Sequence, residues 1–159
     1  MTFLIVLGIY FTALFLVGWV SRRSMGYPAL TLAAGALIAN LWTDSLTPVV
    51  AQTGIVIIKP PLQSLVAIAL TLLPALVIMV RAPKMASKHH GWFGSLVFAT
   101  LGVMLTYAAF SNAVVLDEGS KEIVRQIFAY EAAVITACIA LAMLEVFLYR
   151  KPHPREKHK

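Results

Sequence analysis

Long apolar runs limit what this sequence can fold into more than any other feature. Four of them approach or exceed the roughly 20 residues that an α-helix needs to cross about 30 Å of hydrocarbon. They lie at 3–20, 62–80, 92–110 and 123–149. A fifth run at 28–42 is shorter, but Tyr27 and Trp42 flank it as interfacial aromatic residues do. We therefore predict an all-α, polytopic membrane protein with about five transmembrane helices, of which the second is short.

Basic residues are distributed unevenly among the segments that connect these runs. If the chain crosses five times, ten of its 13 Lys and Arg residues fall on the side of the C-terminus. They are Arg22, Arg23, Arg81, Lys84, Lys88, Arg150, Lys151, Arg155, Lys157 and Lys159. Short cytoplasmic loops retain Lys and Arg, so we predict the N-terminus outside and the C-terminus inside. Without the crossing at 28–42, the basic segment after residue 80 would lie opposite Arg22 and Arg23, so the charges favour five crossings over four.

Composition and motifs exclude several other classes of protein. The chain is 60% hydrophobic and 13% charged, whereas soluble domains are about 25% charged. The net charge of +6 follows from the topology, and the basic residues form no aromatic-interleaved face that would bind nucleic acid. The single cysteine, Cys138, permits no intramolecular disulfide or thiolate metal site. No catalytic signature occurs, so we predict a non-enzymatic membrane domain at 1–150, without metal or cofactor, and a basic cytoplasmic tail at 151–159.

Small residues are concentrated in the second and fourth predicted crossings. The candidates for helix packing are Ala29, Ala33, Gly35, Ala39, Gly91, Gly94, Ser95 and Gly102. Spacings of four, such as Ala29 with Ala33, put small side chains on one helix face and let two backbones approach closely. These faces serve either helix packing within one copy or a homodimer contact, and in both cases the two helices are predicted to be central.

Pro74 lies in the middle of the run at 62–80. Its nitrogen cannot donate the hydrogen bond that the Leu70 carbonyl would accept, so a kink is predicted there. Thr71 is placed to satisfy a carbonyl that the kink frees. Such a kink belongs either to a gate or to simple accommodation of a neighbouring helix.

Three acidic residues are candidate functional residues, since acids at membrane depth are costly. Glu131 and Glu145 lie 14 residues apart in the last apolar run, and Asp44 follows the second. About four helical turns separate the two glutamates, which puts them near one face. If Arg150 marks the inner interface, Glu131 lies near the outer edge and Glu145 about 7 Å from the inner one. The acids form either a proton or cation path or interfacial and structural carboxylates, of which the interfacial kind tolerates replacement by glutamine.

The segment at 44–61 is half apolar, and the topology places it outside. One hypothesis is a short helix along the outer interface, which Asp44 or Ser45 caps, which carries Pro48 in its first turn and which Gly54 ends. The other is a re-entrant element between the small-residue faces of the second and fourth crossings. In either case this segment is the predicted place for a partner contact.

Two stretches resemble the colicin V production protein family of membrane proteins. The stretch "GWVSRRSMGY", followed by "PALTLAAGALIAN", resembles the Arg- and Gly-bearing turn that joins that family's first two helices. The stretch "HHGWFGSLVFATLGVMLTY", in which Gly91 and Gly94 open the fourth crossing, is similar to the family's glycine-spaced fourth helix. The resemblance covers roughly residues 3–110.

This resemblance implies a bacterial inner-membrane protein that is associated with secretion or envelope maintenance. Such a protein acts in the lipid bilayer through helix packing with a membrane-protein partner or with further copies of itself. The alternative function is a small transporter or channel subunit, with an acidic path along the last helix.

Overall fold

The computed structural model describes residues 2–21, 24–52, 61–82, 88–113 and 118–148. These residues form six helices with short turns at their ends, which confirms the predicted all-α class. The helices are α1 (Thr2–Ser21), α2 (Gly26–Ala51), α3 (Leu62–Arg81), α4 (Lys88–Ala113), α5 (Glu118–Phe128) and α6 (Glu131–Leu148). Each of α1 to α4 is long and apolar enough to cross a membrane, and α5 with α6 passes the same test as a bent pair. The predicted tail at 151–159 lies outside the described residues.

The last predicted crossing is not one straight helix. A turn at Ala129 and Tyr130 separates α5 from α6, and the two helices meet at an angle of 50°. Helix α6 has 18 residues and is about 27 Å long, which is close to the thickness of the hydrocarbon layer. The apolar run therefore divides into two helices, which are long and apolar enough to cross a membrane when they are taken together as a bent pair.

The second crossing is longer than predicted, because α2 continues past Trp42 to Ala51. Both hypotheses for the segment at 44–61 are therefore wrong for residues 44–51: neither Asp44 nor Ser45 caps a new helix, and the chain does not turn back there. Pro48 lies inside the helix, which tolerates the loss of one backbone donor. Residues 53–60 lie outside the described part of the chain.

Hydroxyl side chains in this extension of α2 bond to carbonyls of their own helix. The Thr43 hydroxyl donates to the Ala39 carbonyl at 2.6 Å, and the Thr47 hydroxyl donates to the Thr43 carbonyl at 2.7 Å. Beyond the proline, the Gln52 N–H bonds to the Pro48 carbonyl at 3.2 Å, so the helical hydrogen bonding resumes. The prediction of a new helix at Pro48 therefore gave this proline too much weight.

The helices run alternately up and down, so the bundle has two distinct ends. We call them the α2–α3 end, where α2 ends and α3 begins, and the α1–α2 end, where α1 ends and α2 begins. Helix α4 is the most buried of the four long helices and contacts α1, α2, α3 and α6. Leu32, Ala75, Phe98 and Leu101 are fully buried in the core between these helices. The most extensive contact joins α2 to α3.

The small residues of α2 and α4 lie at close contacts within one copy of the chain. Ala29, Gly35, Ala39, Gly94, Ser95 and Gly102 are buried, and Ala33 is half-buried. A methyl group on Gly102 would lie 2.8 Å from the Leu14 side chain of α1, and one on Gly94 would lie 3.1 Å from the Met25 side chain. Gly91 lies in the first turn of α4, and the structure does not describe how far it is buried.

Pro74 lies within α3, which continues over it to Arg81. The Thr71 hydroxyl donates to the Ala67 carbonyl at 2.9 Å, so it does not satisfy the Leu70 carbonyl as predicted. Instead, Gly35 of α2 approaches this part of the α3 backbone: a methyl group there would lie 3.0 Å from the Leu70 oxygen and 2.5 Å from the Thr71 oxygen. The proline-freed carbonyl thus faces a backbone that only a glycine brings so near.

The charge distribution predicts that the α2–α3 end lies outside the cytoplasm. Reporter fusions that are active only outside should be active after Lys121 and silent after Lys151, because ten basic residues hold the other connections inside. Fusion proteins of equal abundance, checked by immunoblot, provide the control. Activity after Lys151 would show that the crossing count or the orientation is wrong.

Candidate functional site

A polar cavity of about 630 Å³ opens between α2, α3, α4 and α6. Two of the three candidate acids, Asp44 and Glu131, line it. Its other polar lining residues are Asn40, Thr43, Gln63, Ser64, Thr71, Thr106 and Asn112. Five alanines of α2, α3 and α4 form much of the remaining wall, and their small side chains leave the space open.

Four helices each contribute one polar side chain near the α2–α3 end of this cavity. Asp44, Gln63, Asn112 and Glu131 come from α2, α3, α4 and α6 in turn, and we call them the rim. Thr71 lies eight residues below Gln63 along α3, so the cavity reaches about 12 Å into the bundle. The cavity is therefore entered from the α2–α3 end.

Hydrogen-bonding capacity is left open mainly near the rim. The Gln63 amide donates to Asp44 Oδ1 at 2.8 Å. Within the described part of the chain, the side chains of Asn40, Asn112 and Glu131 have no hydrogen-bond partner. No lysine or arginine is found among the described residues that line the cavity. Two carboxylates and three amides thus line the cavity without a positively charged neighbour among the described residues of its wall.

The floor of the cavity is polar but internally satisfied. The Thr106 hydroxyl donates to the Gly102 carbonyl at 2.7 Å and lies 3.1 Å from the Tyr10 hydroxyl, while Thr71 bonds within its own helix. Below these threonines, the buried side chains of Leu32, Ala75 and Leu101 close the bundle. The core therefore closes the cavity on the side of the α1–α2 end.

Glu145 does not share this cavity, although its spacing from Glu131 suggested a common path. It lies about 21 Å along α6 from Glu131, towards the α1–α2 end. Its Oε1 accepts hydrogen bonds from the Ser24 hydroxyl at 3.0 Å and from the Met25 N–H at 3.1 Å. Ser24 and Met25 are fully buried, so this carboxylate caps the start of α2 from a neighbouring helix.

Gly26 and Gly94 leave the space that this carboxylate and its helix occupy. A methyl group on Gly94 would lie 3.2 Å from Glu145 Oε2, and one on Gly26 would lie 2.9 Å from the Ala142 carbonyl. The contact therefore depends on three helices: the acid comes from α6, the donors precede α2, and α4 supplies the gap. This is the arrangement of a structural carboxylate.

Sequence reasoning missed the amide side chains of the site. Asn40 lies within the apolar run at 28–42, where an amide at membrane depth is costly unless it has a partner or faces water. Gln63 and Asn112 lie at the ends of two other predicted crossings, at the same end of the bundle as Asp44. The sequence could have shown that these residues lie at a similar depth. It could not show that their helices are neighbours in the bundle.

Comparisons of the chain with protein-family models, with curated proteins and with solved structures find no match. The resemblance to the colicin V production protein family therefore stays a prediction that rests on the quoted stretches. The cavity and its rim are the features on which a function can be argued.

Proposed function

We propose that this chain is a small integral membrane transporter or channel subunit that admits a cationic solute to the cavity from one face of the membrane. The observation that carries the proposal is the pairing of Asp44 and Glu131 in one cavity whose described wall contains no basic side chain. A conduit for ions needs polar side chains that line a common space. Nine polar residues line this cavity.

The charge of the rim selects for cations. Acidic side chains at the entrance of a narrow, low-dielectric space raise the local cation concentration and exclude anions. The carbonyl oxygens of Asn40 and Asn112 add neutral acceptors beside the two carboxylates. A bound ammonium group would therefore exchange its hydration shell for oxygen atoms of the protein.

The size of the cavity favours an organic cation over a bare metal ion. A volume of about 630 Å³ falls within the roughly 300–1,000 Å³ of small-molecule sites. A dehydrated metal ion would leave most of this volume unfilled. An alkylammonium compound would place its charge at the rim and its carbon atoms against the alanine-rich wall.

Transport requires a second state, because the core below Thr71 closes the cavity. Pro74 lies beside Ala75 in this closing layer, where α3 lacks one backbone hydrogen bond and bends at lower cost. Alternating access of this kind, in which one helix group moves against another around a fixed site, is common among membrane transporters. In the proposed cycle, the described arrangement is the state that is open at the α2–α3 end.

The family resemblance supports a different function, that of a non-enzymatic secretion or envelope component in a bacterial inner membrane. Such a component would act through a partner that binds its helices and would not need a cation in the cavity. The two functions differ in their predictions: stable co-purification with a membrane protein in mild detergent supports the component, and cation flux in proteoliposomes supports the transporter.

Neutralising either rim acid should abolish binding of an organic cation. We expect choline or tetramethylammonium to raise the thermal unfolding midpoint of the wild-type protein in detergent, because a ligand that binds only the folded state stabilises it by about 2.7 kcal/mol at 100 times its Kd. Glu131→Gln and Asp44→Asn should lose this shift. Glu122→Gln is the matched control, since Glu122 is an exposed acid of α5 that is paired with Arg125 outside the cavity.

Sodium chloride at the same ionic strength separates binding from general screening. An equal shift in sodium chloride, or an undiminished shift in both rim variants, would contradict the proposal. Uptake of radiolabelled choline into proteoliposomes then distinguishes a carrier from a protein that only binds.

A further inference from the structure

Helix α5 is strongly amphipathic, and its side chains divide into three groups. Lys121, Glu122, Arg125 and Gln126 are exposed and occupy a polar arc of about 140°. Val124 is buried, and the Phe128 ring stacks on Tyr107 of α4 with ring centres 3.5 Å apart. Ile123 and Ile127 occupy the rest of the apolar arc and are 40% and 45% exposed.

The exposed isoleucines therefore lie between the protein and the polar arc. Helix α4 contacts the apolar surface of α5 at Phe128. Ile123 and Ile127 extend this apolar surface away from the bundle. A helix in open water would gain by turning such residues inward, because burial of an isoleucine side chain is favourable. Within the described structure these two side chains stay partly exposed, and a surface beside the bundle would cover the remainder.

The position of α5 in the chain identifies that surface. Helix α6 is about as long as the hydrocarbon layer is thick, and α5 departs from its outer end at 50°. Tyr130 lies at this bend and is 72% exposed, as an aromatic residue at a lipid interface is. Helices with a large polar arc and an apolar stripe lie in the interface plane with the stripe in the acyl boundary.

We infer that α5 lies in the headgroup layer of the leaflet at the α2–α3 end, with Ile123 and Ile127 inserted among the lipid chains. The polar arc faces water, where Glu122 and Arg125 form an exposed ion pair at 3.1 Å. The helix is thus an interfacial anchor that binds lipid on one side and α4 on the other. The interfacial helix that we infer thus precedes α6, whereas the sequence predicted one after the second crossing.

This anchor also determines the depth of one rim residue. Glu131 begins α6 directly after the bend, and Phe128 ties the end of α5 to Tyr107 on the wall of the bundle beside the cavity. Because α5 is held obliquely in the headgroup layer, Glu131 is placed where that layer meets the cavity entrance. The position of the rim relative to lipid is then a property of α5.

Spin labels on single cysteines test the inference directly in the full chain in proteoliposomes. In a Cys138→Ala background, labels are placed at Ile123→Cys and Ile127→Cys, and at Glu122→Cys and Gln126→Cys as water-facing partners on the same helix. Leu73→Cys, on an exposed position in the middle of α3, provides the lipid reference. Oxygen, which partitions into lipid, and a water-soluble nickel chelate serve as the two relaxation probes.

Labels at 123 and 127 should show an oxygen-to-nickel accessibility ratio several-fold above that at 122 and 126, and similar to that at 73. High nickel accessibility at 123 and 127 would place this face in water and overturn the inference. Low accessibility to both probes at these positions would mean that a second copy or another protein covers the face, which also overturns it. Two independent labels on each face keep the result interpretable if one variant fails to fold.

Discussion

Replacing Gly35 by alanine will destabilise the bundle more than any other single methyl group added to a described glycine. The added carbon would lie 2.5 Å from the Thr71 carbonyl oxygen and 3.0 Å from that of Leu70. Both neighbours are backbone atoms, so no side chain can rotate away and α2 must separate from α3. These two helices share the most extensive contact of the fold, and we expect a loss of about 3 kcal/mol.

Gly8→Ala is the matched control for this prediction. It makes the same chemical change in α1, but nothing lies within 4 Å of the added carbon. Alanine has the higher helix propensity, so Gly8→Ala should leave the unfolding free energy unchanged or raise it slightly. Unfolding in mixed micelles by titration with dodecyl sulfate measures both variants. Equal midpoints for the two would show that α2 and α3 do not approach as closely as the structure has them.

Replacing Glu145 by alanine will cost about 3 kcal/mol, since it leaves two fully buried donors without an acceptor. The Ser24 hydroxyl and the Met25 N–H both bond to Glu145 Oε1. The negative charge also interacts favourably with the positive end of the α2 dipole. Glu145→Gln keeps a carbonyl acceptor in the same place, so it should lose only about 1 kcal/mol.

Glu131 should show the opposite behaviour. Its carboxylate has no hydrogen-bond partner within the described part of the chain and lies in the first turn of α6, so Glu131→Ala should lower the unfolding free energy by at most about 1 kcal/mol. The same substitution should abolish the shift caused by an organic cation. One acid would then carry stability without ligand binding and the other ligand binding without stability.

Measuring both properties on both variants tests this division. Unfolding midpoints of the two variants are measured in detergent with and without choline. Glu145→Ala should have the lower midpoint but keep the choline shift, and Glu131→Ala should have the higher midpoint but lose the shift. If Glu145→Ala is as stable as the wild type, the capping contact does not support the fold. If Glu131→Ala loses as much stability as Glu145→Ala, the two acids are both structural, and the rim loses one of its two charges as a functional group.

Counting residues against the thickness of the bilayer predicted a hydrocarbon boundary close to the bend that the structure shows. Depth measured back from Arg150 put the outer edge of the hydrocarbon near Tyr130, and the chain bends at Ala129 and Tyr130. The sequence around this bend does not predict it, because residues 123–149 contain no proline or glycine. The run from 123 to 149 was therefore taken as one crossing, although its first part is the amphipathic α5.

The opposite error occurred in α2, where the local signals were strong and the structure overrode them. Pro48 and the polar residues from Thr43 to Thr47 predicted a new element, yet the helix runs through to Ala51. Two threonine hydroxyls bond to carbonyls one turn earlier. In addition, packing against α3 supports the extended helix at the Asp44–Gln63 contact. Tertiary contacts outweighed the local cost of one proline.

The sequence by itself determined the helical class and the approximate number of crossings. It could do so because a bilayer allows a spanning chain to satisfy its backbone groups only within helices or closed barrels, and because hydrocarbon thickness sets helix length. Only the tertiary structure decided which acidic residues lie in the same cavity. Asp44 and Glu131 lie 87 residues apart and share a cavity, whereas Glu131 and Glu145 lie on one helix and do not. Depth along a helix can be counted from residue numbers, but the order of helices around the bundle depends on how their surfaces pack, as at Gly35 against the α3 backbone.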